Sequence, residues 1–274
     1  MDSSNAVAFI GGGNMARSLI GGLIGRGTPA QQVHVAEPVD ALRQQLQQDF
    51  GVRVFDNAAD AVVGCGQWVL AVKPQVMRQV CESLQSQAQA EKPVALSVAA
   101  GITADQVQRW LGGEVAVIRT MPNTPALLGA GVTGLFANAL VSDAARQRAT
   151  RLLSAAGATV WIEDEAQMDA VTAVSGSGPA YIFLFAEAME AAAKAEGLPD
   201  DAARTLVLQT ILGAARMLTE SEVEPGELRR RVTSPNGTTH AAIESFKDGG
   251  LEALVAKAMH AARVRGQELS AAND

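Results

Sequence analysis

The chain opens on the stretch AVAFIGGGNMARSLIGGL, residues 6–23, in which an apolar run stops at three glycines and then resumes. Residues 6–10 have the continuous apolar character of a short buried strand. Met15, Leu19 and Leu23 then recur at the spacing that places them on one face of a helix. The glycines therefore lie at a turn between a strand and a helix.

These glycines fit the dinucleotide-binding pattern G-x-G-x-x-G/A at Gly11, Gly13 and Ala16. The first position allows the tight turn, the second lets a pyrophosphate approach the main chain, and the third packs the helix on the strand. Free N–H groups at the start of the helix would face the phosphates. A glycine-rich turn that binds no ligand can have the same pattern, but the position between a clear strand and a clear helix favours a dinucleotide.

Length and composition limit the classes of function. A chain of 274 residues exceeds a typical single domain, so we expect two domains. The net charge of -7, without a run of Lys or Arg, argues against a nucleic-acid partner and against binding to an anionic membrane. No apolar segment reaches the roughly 18 residues that span a bilayer, and the opening MDSSNA lacks the plan of a secretion signal. We expect a cytoplasmic protein.

Cysteine and histidine usage gives no sign of a metal site. Cys65 and Cys81 are the only cysteines and do not form C-x-x-C, so we expect buried thiols. His34 lies in a predicted strand, His240 follows two threonines, and His260 lies in the last helix. The sequence therefore suggests neither a metal ligand set nor a histidine-based catalytic triad.

Strands and helices alternate through the first part of the chain, which predicts an α/β fold with a doubly wound, mostly parallel sheet. From about Glu165 onward, long segments rich in Ala, Leu and Met replace the strands. We predict a dinucleotide-binding Rossmann domain over residues 1–163 and an all-helical domain over 164–274, with a ligand cleft between them. The predicted strands are 6–10, 33–36, 52–55, 68–72, 94–98 and 115–120, with 132–136 and 159–162 as extensions of the sheet.

The helical part contains more apolar surface than it can readily bury alone. The stretch FLFAEAMEAAAKAEG, residues 183–197, is apolar around most of its circumference at its N-terminal end. A domain of this size has difficulty burying several such helices. We therefore expect a homodimer formed through this domain, the alternative being a compact monomeric bundle.

Several strands end in turns that suit the wall of a ligand crevice. The strand 68–72 runs into Lys73 and Pro74, and proline cannot continue the ladder. Since the carboxyl ends of parallel strands line the crevice, Lys73 is placed beside the dinucleotide, although a surface lysine would fit the same pattern. SVAAG, residues 97–101, and RTMPNTPA, residues 119–126, end the following strands without bulky side chains.

Two loops of the helical part resemble anion sites. VSGSGPAY, residues 174–181, has Pro179 at the predicted first turn of a helix, and VTSPNGTTHAAI, residues 232–243, places a turn before Thr238 and Thr239. Free main-chain N–H groups and hydroxyls at a helix start bind a carboxylate well. Plain helix capping is the alternative for either loop.

With these motifs in place, the sequence resembles the pyrroline-5-carboxylate reductase family over nearly its whole length. FIGGGNMA, AVKPQ, RTMPNTPA, VSGSGPAY and ELRRRVTSPNGTT occur in that family's order and spacing. The resemblance implies reduction of 1-pyrroline-5-carboxylate to L-proline with NADPH and/or NADH, the last step of proline biosynthesis. It also implies a Rossmann domain and a helical dimerisation domain with interleaved subunits, which in some members assemble into rings of dimers.

The candidate site residues combine the motif match with the interpretation of the loops. The cofactor residues are Ile10, Gly11, Gly12, Gly13, Asn14, Met15, Glu37, Asn57, Ala71, Val72, Lys73, Pro74, Ala99 and Ala100. The substrate residues are Glu165, Ser175, Gly176, Ser177, Gly178, Ser234, Gly237, Thr238 and Thr239. We assign no catalytic residue, because hydride transfer needs mainly positioning and charge complementarity, and the imine can arrive already protonated.

Two residues depart from the family pattern. Asn236 replaces the first glycine of the common S-P-G-G-x-T loop, and Asn tolerates positive φ better than most residues. Glu37 follows Gly13 at close to the interval at which an acidic residue meets the adenine ribose, which favours NADH over NADPH. The alternative is that Pro38 turns Glu37 to solvent and leaves Arg43 free to reach a 2′-phosphate.

Two other functions are compatible with parts of the sequence. A β-hydroxyacid dehydrogenase would share the fold, but it would need a catalytic Lys preceded four residues earlier by Asn on the interdomain helix. That helix contains Lys194 without such an Asn. A non-catalytic nucleotide-binding regulator would need no substrate loop.

Overall fold

The structure, a computed structural model, describes residues 6–272. Residues 1–5, on which part of the expectation about targeting rests, lie outside this range. The first part of the chain forms one sheet of eight strands in the order β3-β2-β1-β4-β5-β6-β7-β8. The strands are β1 Val7–Ile10, β2 Val33–Ala36, β3 Arg53–Phe55, β4 Gln67–Leu70, β5 Val94–Ser97, β6 Ala116–Met121, β7 Gly131–Ala137 and β8 Gly157–Trp161.

All neighbouring strands are parallel except β6 and β7, which form the one antiparallel pair of this sheet. The chain order reverses at β1, between β2 and β4, as in a doubly wound fold. The predicted α/β class and all eight predicted strands are confirmed. The helices of this part are α1 Asn14–Gly25, α2 Asp40–Phe50, α3 Ala58–Ala61, α4 Pro74–Ser83, α5 Gln85–Glu91, α6 Ala104–Trp110, α7 Asp143–Leu153 and α8 Met168–Val171.

Successive residues of β1 and β4 serve opposite faces of the sheet, because side chains alternate along a strand. Phe9 and Val69 join a core that contains the buried face of α1, and Ile10 and Leu70 join a second core that includes residues of α4. Parallel strands covered on both faces are apolar throughout, which is why the central strands β1, β4 and β5 appear in the sequence as nearly continuous apolar runs.

Both cysteines are buried and free, as predicted. Burial raises the pKa of the Cys65 thiol to about 11 and that of the Cys81 thiol to about 12. The two residues belong to the second core, beside Trp68. They therefore act as small apolar side chains.

The rest of the described chain is helical, with no strand between Trp161 and residue 272. Its helices are α9 Gly178–Ala195, α10 Asp200–Glu220, α11 Pro225–Arg231, α12 Thr238–Asp248 and α13 Leu251–Ala272. Among the described residues, none of the helices has both the length and the apolar character that crossing a bilayer requires.

Contacts divide the described chain into two compact units. The first extends to Ser177 and also takes in the end of α13 from Ala261 onward, and the second is Gly178–His260. This division differs from the predicted boundary between residues 163 and 164. The reason is packing: Gln106 Nε2 donates to the Ser270 carbonyl (3.3 Å), which holds the end of α13 within the first unit.

The second unit exposes large apolar side chains. Phe183 and Leu184 of α9 are 61% and 66% exposed, and Leu254 of α13 is 62% exposed. These exposed side chains agree with the predicted excess of apolar surface in the helical part.

Candidate active site

The turn after β1 requires glycine at Gly11. Its φ of +101° lies in the left-handed region, and a Cβ there would lie 2.6 Å from the Ala71 carbonyl oxygen. The Gly11 N–H donates to the Ala36 carbonyl (2.9 Å), and the Ala71 N–H donates to the Ile10 carbonyl (2.8 Å). The first glycine therefore lets the turn fit between the ends of β2 and β4.

The space around Gly13 is open, in contrast to the crowded surroundings of Gly11. No atom lies within 4 Å of a Cβ built on Gly13, and this residue caps the N-terminus of α1 with no side chain hydrogen-bonded there. The first amides of α1 have no partner inside the helix and carry its positive dipole end. Ala16, the third position of the pattern, is fully buried. This bare helix start fits the pyrophosphate of a dinucleotide.

Glu37 follows β2 directly and is buried against the glycine turn. Its Oε2 accepts from the Gly12 N–H (3.0 Å), and its Oε1 accepts from the Val39 N–H (3.0 Å). A buried carboxylate that accepts two main-chain N–H groups has a fixed position. The alternative in which Pro38 turns Glu37 to solvent is therefore wrong.

Arg43, which that alternative left free to reach a 2′-phosphate, is bound elsewhere. Its Nη1 donates to the carbonyls of Glu37 and Pro38 (both 2.8 Å), and its Nη2 donates to Asp40 Oδ1 (3.0 Å). Glu37 is thus the acidic group at the end of β2, with Arg43 bound to the main chain behind it.

A cavity of about 400 Å³ lies at the carboxyl ends of β1, β2 and β4. Ile10, Gly11, Asn57 and Val72, all predicted cofactor residues, line it. Asn57 caps α3 by accepting from the Asp60 N–H (2.9 Å). The volume falls within the range of small-ligand pockets and suits one end of a dinucleotide.

The remaining cofactor candidates follow β4 and β5 at the same sheet edge. Lys73 is exposed and caps α4, in which Pro74 is the first residue. Ala99 is buried and Ala100 lies beside it as a turn residue. These positions leave the crevice wall beyond β5 lined by small side chains.

A buried ion-pair network holds Glu165. Arg119 of β6, 5% exposed, donates from Nη1 to Glu165 Oε1 (3.3 Å) and from Nη2 to Asp169 Oδ1 (3.2 Å). Glu165 Oε1 also accepts from the Ala104 N–H (2.7 Å). Sequence reasoning missed Arg119 and Asp169 as a pair. The one available signal was a charged residue within the apolar strand VAVIRTM.

Ser175 and Gly176 end the π-helical turn Thr172–Gly176, Ser177 caps it, and the turn meets the end of β6 and the segment after it. Asn123 Nδ2 donates to the Ser175 carbonyl (3.1 Å), whereas the Ser175 hydroxyl donates to the Val171 carbonyl (2.9 Å). A Cβ on Gly176 would lie 2.5 Å from the Met121 side chain. The segment thus packs closely on residues 121–123.

Gly178 opens α9, with Pro179 in its first turn as predicted. No atom lies within 4 Å of a Cβ built on Gly178. This glycine belongs to the second unit, whereas Ser175, Gly176 and Ser177 belong to the first.

The turn from Ser234 to Thr239 lies wholly in the second unit. The Gly237 N–H donates to the Ser234 carbonyl (3.0 Å), and Asn236 has a φ of +59°. Asn therefore adopts the left-handed conformation that the family's glycine would supply, as predicted. Gly237 caps α12 without a side-chain hydrogen bond, and Thr238 begins the helix. The loop thus presents free amides and two threonine hydroxyls.

His34 has a structural environment. Its Nδ1 lies 2.8 Å from the Ala61 carbonyl and 3.2 Å from Cys65 Sγ, and its Nε2 lies 2.9 Å from Arg53 Nη1. Burial is the main cause that lowers the pKa of His34. A neutral imidazole that bonds Ala61 and Arg53 ties β2 to its neighbours. His240 is an exposed residue of α12.

Comparison with known proteins decides the family. The family model described as pyrroline-5-carboxylate reductase dimerisation matches residues 165–269, and that described as NADP oxidoreductase coenzyme F420-dependent matches 6–101. A pyrroline-5-carboxylate reductase of Pseudomonas aeruginosa is 53% identical, and the match covers 98% of each chain. The chain belongs to the pyrroline-5-carboxylate reductase family.

Solved structures agree with the family assignment. A pyrroline-5-carboxylate reductase from Coxiella burnetii has a TM-score of 0.94 at 40% identity, covering 98% of this chain and 99% of the other. A Plasmodium falciparum pyrroline carboxylate reductase with NADP bound has a TM-score of 0.85 at 24% identity, covering 98% and 100%, which shows a shared fold. The Rossmann domain and helical dimerisation domain implied by the resemblance are therefore confirmed.

Proposed function

We propose that this protein reduces 1-pyrroline-5-carboxylate to L-proline in the cytoplasm, with NADPH or NADH as the hydride donor. The observation that carries the proposal is the 53% identity to a pyrroline-5-carboxylate reductase over 98% of both chains. The β-hydroxyacid dehydrogenase alternative is not favoured. Lys194 is preceded four residues earlier by Glu190, with which it forms an ion pair (3.1 Å).

The first amides of α1, from Gly13 to Met15, would hold the pyrophosphate, and Glu37 would accept from the adenine ribose. When bound, the nicotinamide supplies a hydride to the imine carbon. Gly13 leaves room for the phosphates without a side chain. The small residues Ala99 and Ala100 keep the crevice wall beyond β5 open.

The substrate carboxylate would be held at the start of α12, where the loop Ser234–Thr239 offers amides and hydroxyls to an anion. Ser175, Gly176, Ser177 and Gly178 would shape the floor of the site.

Glu165 would favour the protonated imine, which is the better hydride acceptor. Arg119 faces two carboxylates, those of Glu165 and Asp169, so the three groups together keep one net negative charge. Opposite charge favours the cationic form of a bound group.

The assembly would be a homodimer formed through the helical domain, with a ring of dimers as the larger form. The exposed Phe183, Leu184 and Leu254 supply apolar surface for such contacts. Light scattering on the full chain distinguishes monomer, dimer and ring by mass.

The reaction is tested with the purified full chain. Oxidation of NADH or NADPH should require 1-pyrroline-5-carboxylate and should produce an equal amount of proline, followed by nicotinamide absorbance and by amino-acid analysis. Folded protein that turns over neither cofactor would contradict the proposal.

Thr239→Val should weaken binding of the imine and leave nucleotide binding unchanged. Valine keeps the shape of threonine but removes the hydroxyl, and a hydrogen bond to a charged group is worth about 1.5–3 kcal/mol. We expect kcat/KM for the imine to fall roughly tenfold or more, measured by steady-state kinetics with saturating cofactor. Thr219→Val, an exposed site on α10, is the matched control. Equal kinetics for Thr239→Val and the native protein would remove Thr239 from the site.

Glu37→Ser should raise kcat/KM for NADPH relative to NADH by about tenfold, equivalent to about 1.4 kcal/mol. The carboxylate that accepts from a 2′-OH repels a 2′-phosphate, and serine removes that repulsion. Glu82→Ser is the control, because it removes the same charge from a side chain of α4 that is 53% exposed. An equal change of the cofactor ratio in both variants, or none in either, would show that Glu37 does not face the ribose.

A further inference from the structure

A groove of about 530 Å³ lies at the opposite end of β1 from the glycine turn. Val7 and Gln67, the first residues of β1 and β4, line it, together with Leu23 near the end of α1 and Leu152 near the end of α7. All these residues belong to the first unit. The groove therefore lies away from the carboxyl ends of the strands, where the cofactor cavity is.

Three arginines, Arg26, Arg148 and Arg151, line this groove. Within the described chain, no Asp or Glu lies at ion-pair distance from any of the three guanidinium groups. The contrast with the rest of the molecule is informative, because the chain has a net charge of -7 and most of its other arginines have acidic partners. Guanidinium groups bind planar and tetrahedral oxyanions through paired N–H donors.

Gln67 provides a second and independent observation. The residue is 8% exposed, and its side-chain Nε2 is buried without a hydrogen-bond partner among the described residues. A buried polar group that lacks a partner costs about 1–3 kcal/mol, so native proteins seldom keep one without a reason. Gln67 lines the groove, so a rotation of its side-chain amide toward the groove would let a ligand oxygen accept from this donor.

The arginines could instead compensate the dipoles of α1 and α7, because both helices end at this groove and helix C-termini carry partial negative charge. Each terminus is equivalent to roughly half an elementary charge, so the two together offset about one arginine. The remaining two positive charges are uncompensated at this groove. Moreover, a role of the arginines in compensating helix dipoles would not explain why the Gln67 amide lacks a hydrogen-bond partner.

We propose that this groove binds a small organic oxyanion, a phosphate or carboxylate on an apolar body. Arg26, Arg148 and Arg151 hold the anionic group, Gln67 donates to it, and Leu23 and Leu152 contact the apolar part. The site is separate from the one that reduces the imine, and its occupancy does not depend on that activity.

The test uses the full chain with phenyl phosphate and benzoate as probes and benzyl alcohol as the uncharged control. Titrations followed by saturation-transfer NMR should give saturable binding of at least one anion and none of the alcohol. The two anions distinguish a phosphate site from a carboxylate site. Binding should weaken with added salt, because solvent-exposed charges are screened.

Variants locate the binding. Arg148→Gln should weaken it by about tenfold or more, the loss expected for a charge-assisted hydrogen bond. Gln67→Met should weaken it as well, whereas Arg78→Gln, which removes an exposed arginine of α4, should leave it unchanged. Gly13→Asp is a second control, because a phosphate bound at the glycine turn would be lost in that variant alone.

The proposal is overturned by any of three results. These are no saturable binding of either anion, equal binding of benzyl alcohol, or binding that Arg148→Gln and Gln67→Met leave unchanged. A lower free energy of unfolding in the arginine variants with unaltered binding would assign the arginines to the helix termini instead.

Discussion

Gly13→Asp should weaken the binding of both NADH and NADPH strongly while leaving the protein as stable as before. The open space around Gly13 accommodates a side chain, and Asp is a better N-cap than Gly by a few tenths of a kcal/mol. The same carboxylate would lie at the helix start where the pyrophosphate binds. Two unit charges 4 Å apart repel by about 4 kcal/mol at a partly exposed site, before screening by salt.

We expect the Kd for each nucleotide to rise roughly 30- to 150-fold, equivalent to about 2–3 kcal/mol, measured by quenching of tryptophan fluorescence. Urea denaturation supplies the stability control. Native affinity for both nucleotides in folded Gly13→Asp would show that the pyrophosphate does not bind at α1.

Gly11→Ala is the matched contrast at the neighbouring glycine. Its φ of +101° and the 2.6 Å approach to the Ala71 carbonyl leave no room for a methyl group. This variant should lose about 1–3 kcal/mol of the free energy of unfolding, because the backbone must shift to relieve the strain. One glycine is thus needed for folding and the other for the ligand.

Arg119→Met should cost about 3–5 kcal/mol of the free energy of unfolding, the loss typical of a buried ion pair with one partner removed. Methionine matches the length of the arginine stem but leaves the carboxylates of Glu165 and Asp169 without their cation. The control is Arg78→Met, which breaks the exposed pair with Glu82 and should cost less than about 1 kcal/mol. Urea denaturation measures both variants.

The same substitution should change the kinetics if Glu165 serves the substrate. The kinetics are measured on the folded fraction of Arg119→Met. There, KM for the imine should change more than KM for the cofactor, because the Glu165 carboxylate loses its hydrogen bond from Arg119. Arg119→Lys should recover part of the effect. Equal stability losses in Arg119→Met and Arg78→Met would contradict the account of the network.

The parts of the fold that local sequence determines were predictable. The central strands β1, β4 and β5 are short apolar runs, and Gly11 and Ala71 directly follow β1 and β4, where the chain turns. The glycine turn was predictable to the residue. Gly11 is required by its positive φ and its crowded surroundings, whereas Gly13 leaves the start of α1 without a side chain. The left-handed conformation of Asn236 was predictable because Asn tolerates positive φ better than most residues.

Long-range pairings were not predictable from one sequence. Arg119 meets Asp169 across 50 residues, and Gln106 meets Ser270 across 164. No local pattern indicates which acidic group a strand arginine will reach, or that the end of α13 packs in the first unit. The hydroxyl of Ser175 donates to the Val171 carbonyl, a contact that the sequence did not indicate, and the place of Ser175 in the substrate floor stays a prediction. Periodicity does not distinguish these two uses of a serine.

The most direct test of the central claim follows the hydride itself. The full chain is incubated with 1-pyrroline-5-carboxylate and NADH or NADPH that carries deuterium at both C4 positions of the nicotinamide, and the product is analysed by mass spectrometry and NMR. Hydride transfer to the imine carbon should give L-proline with one deuterium, at the δ carbon, which was the imine carbon of the substrate. Proline without deuterium, or with deuterium at the α carbon, would contradict it.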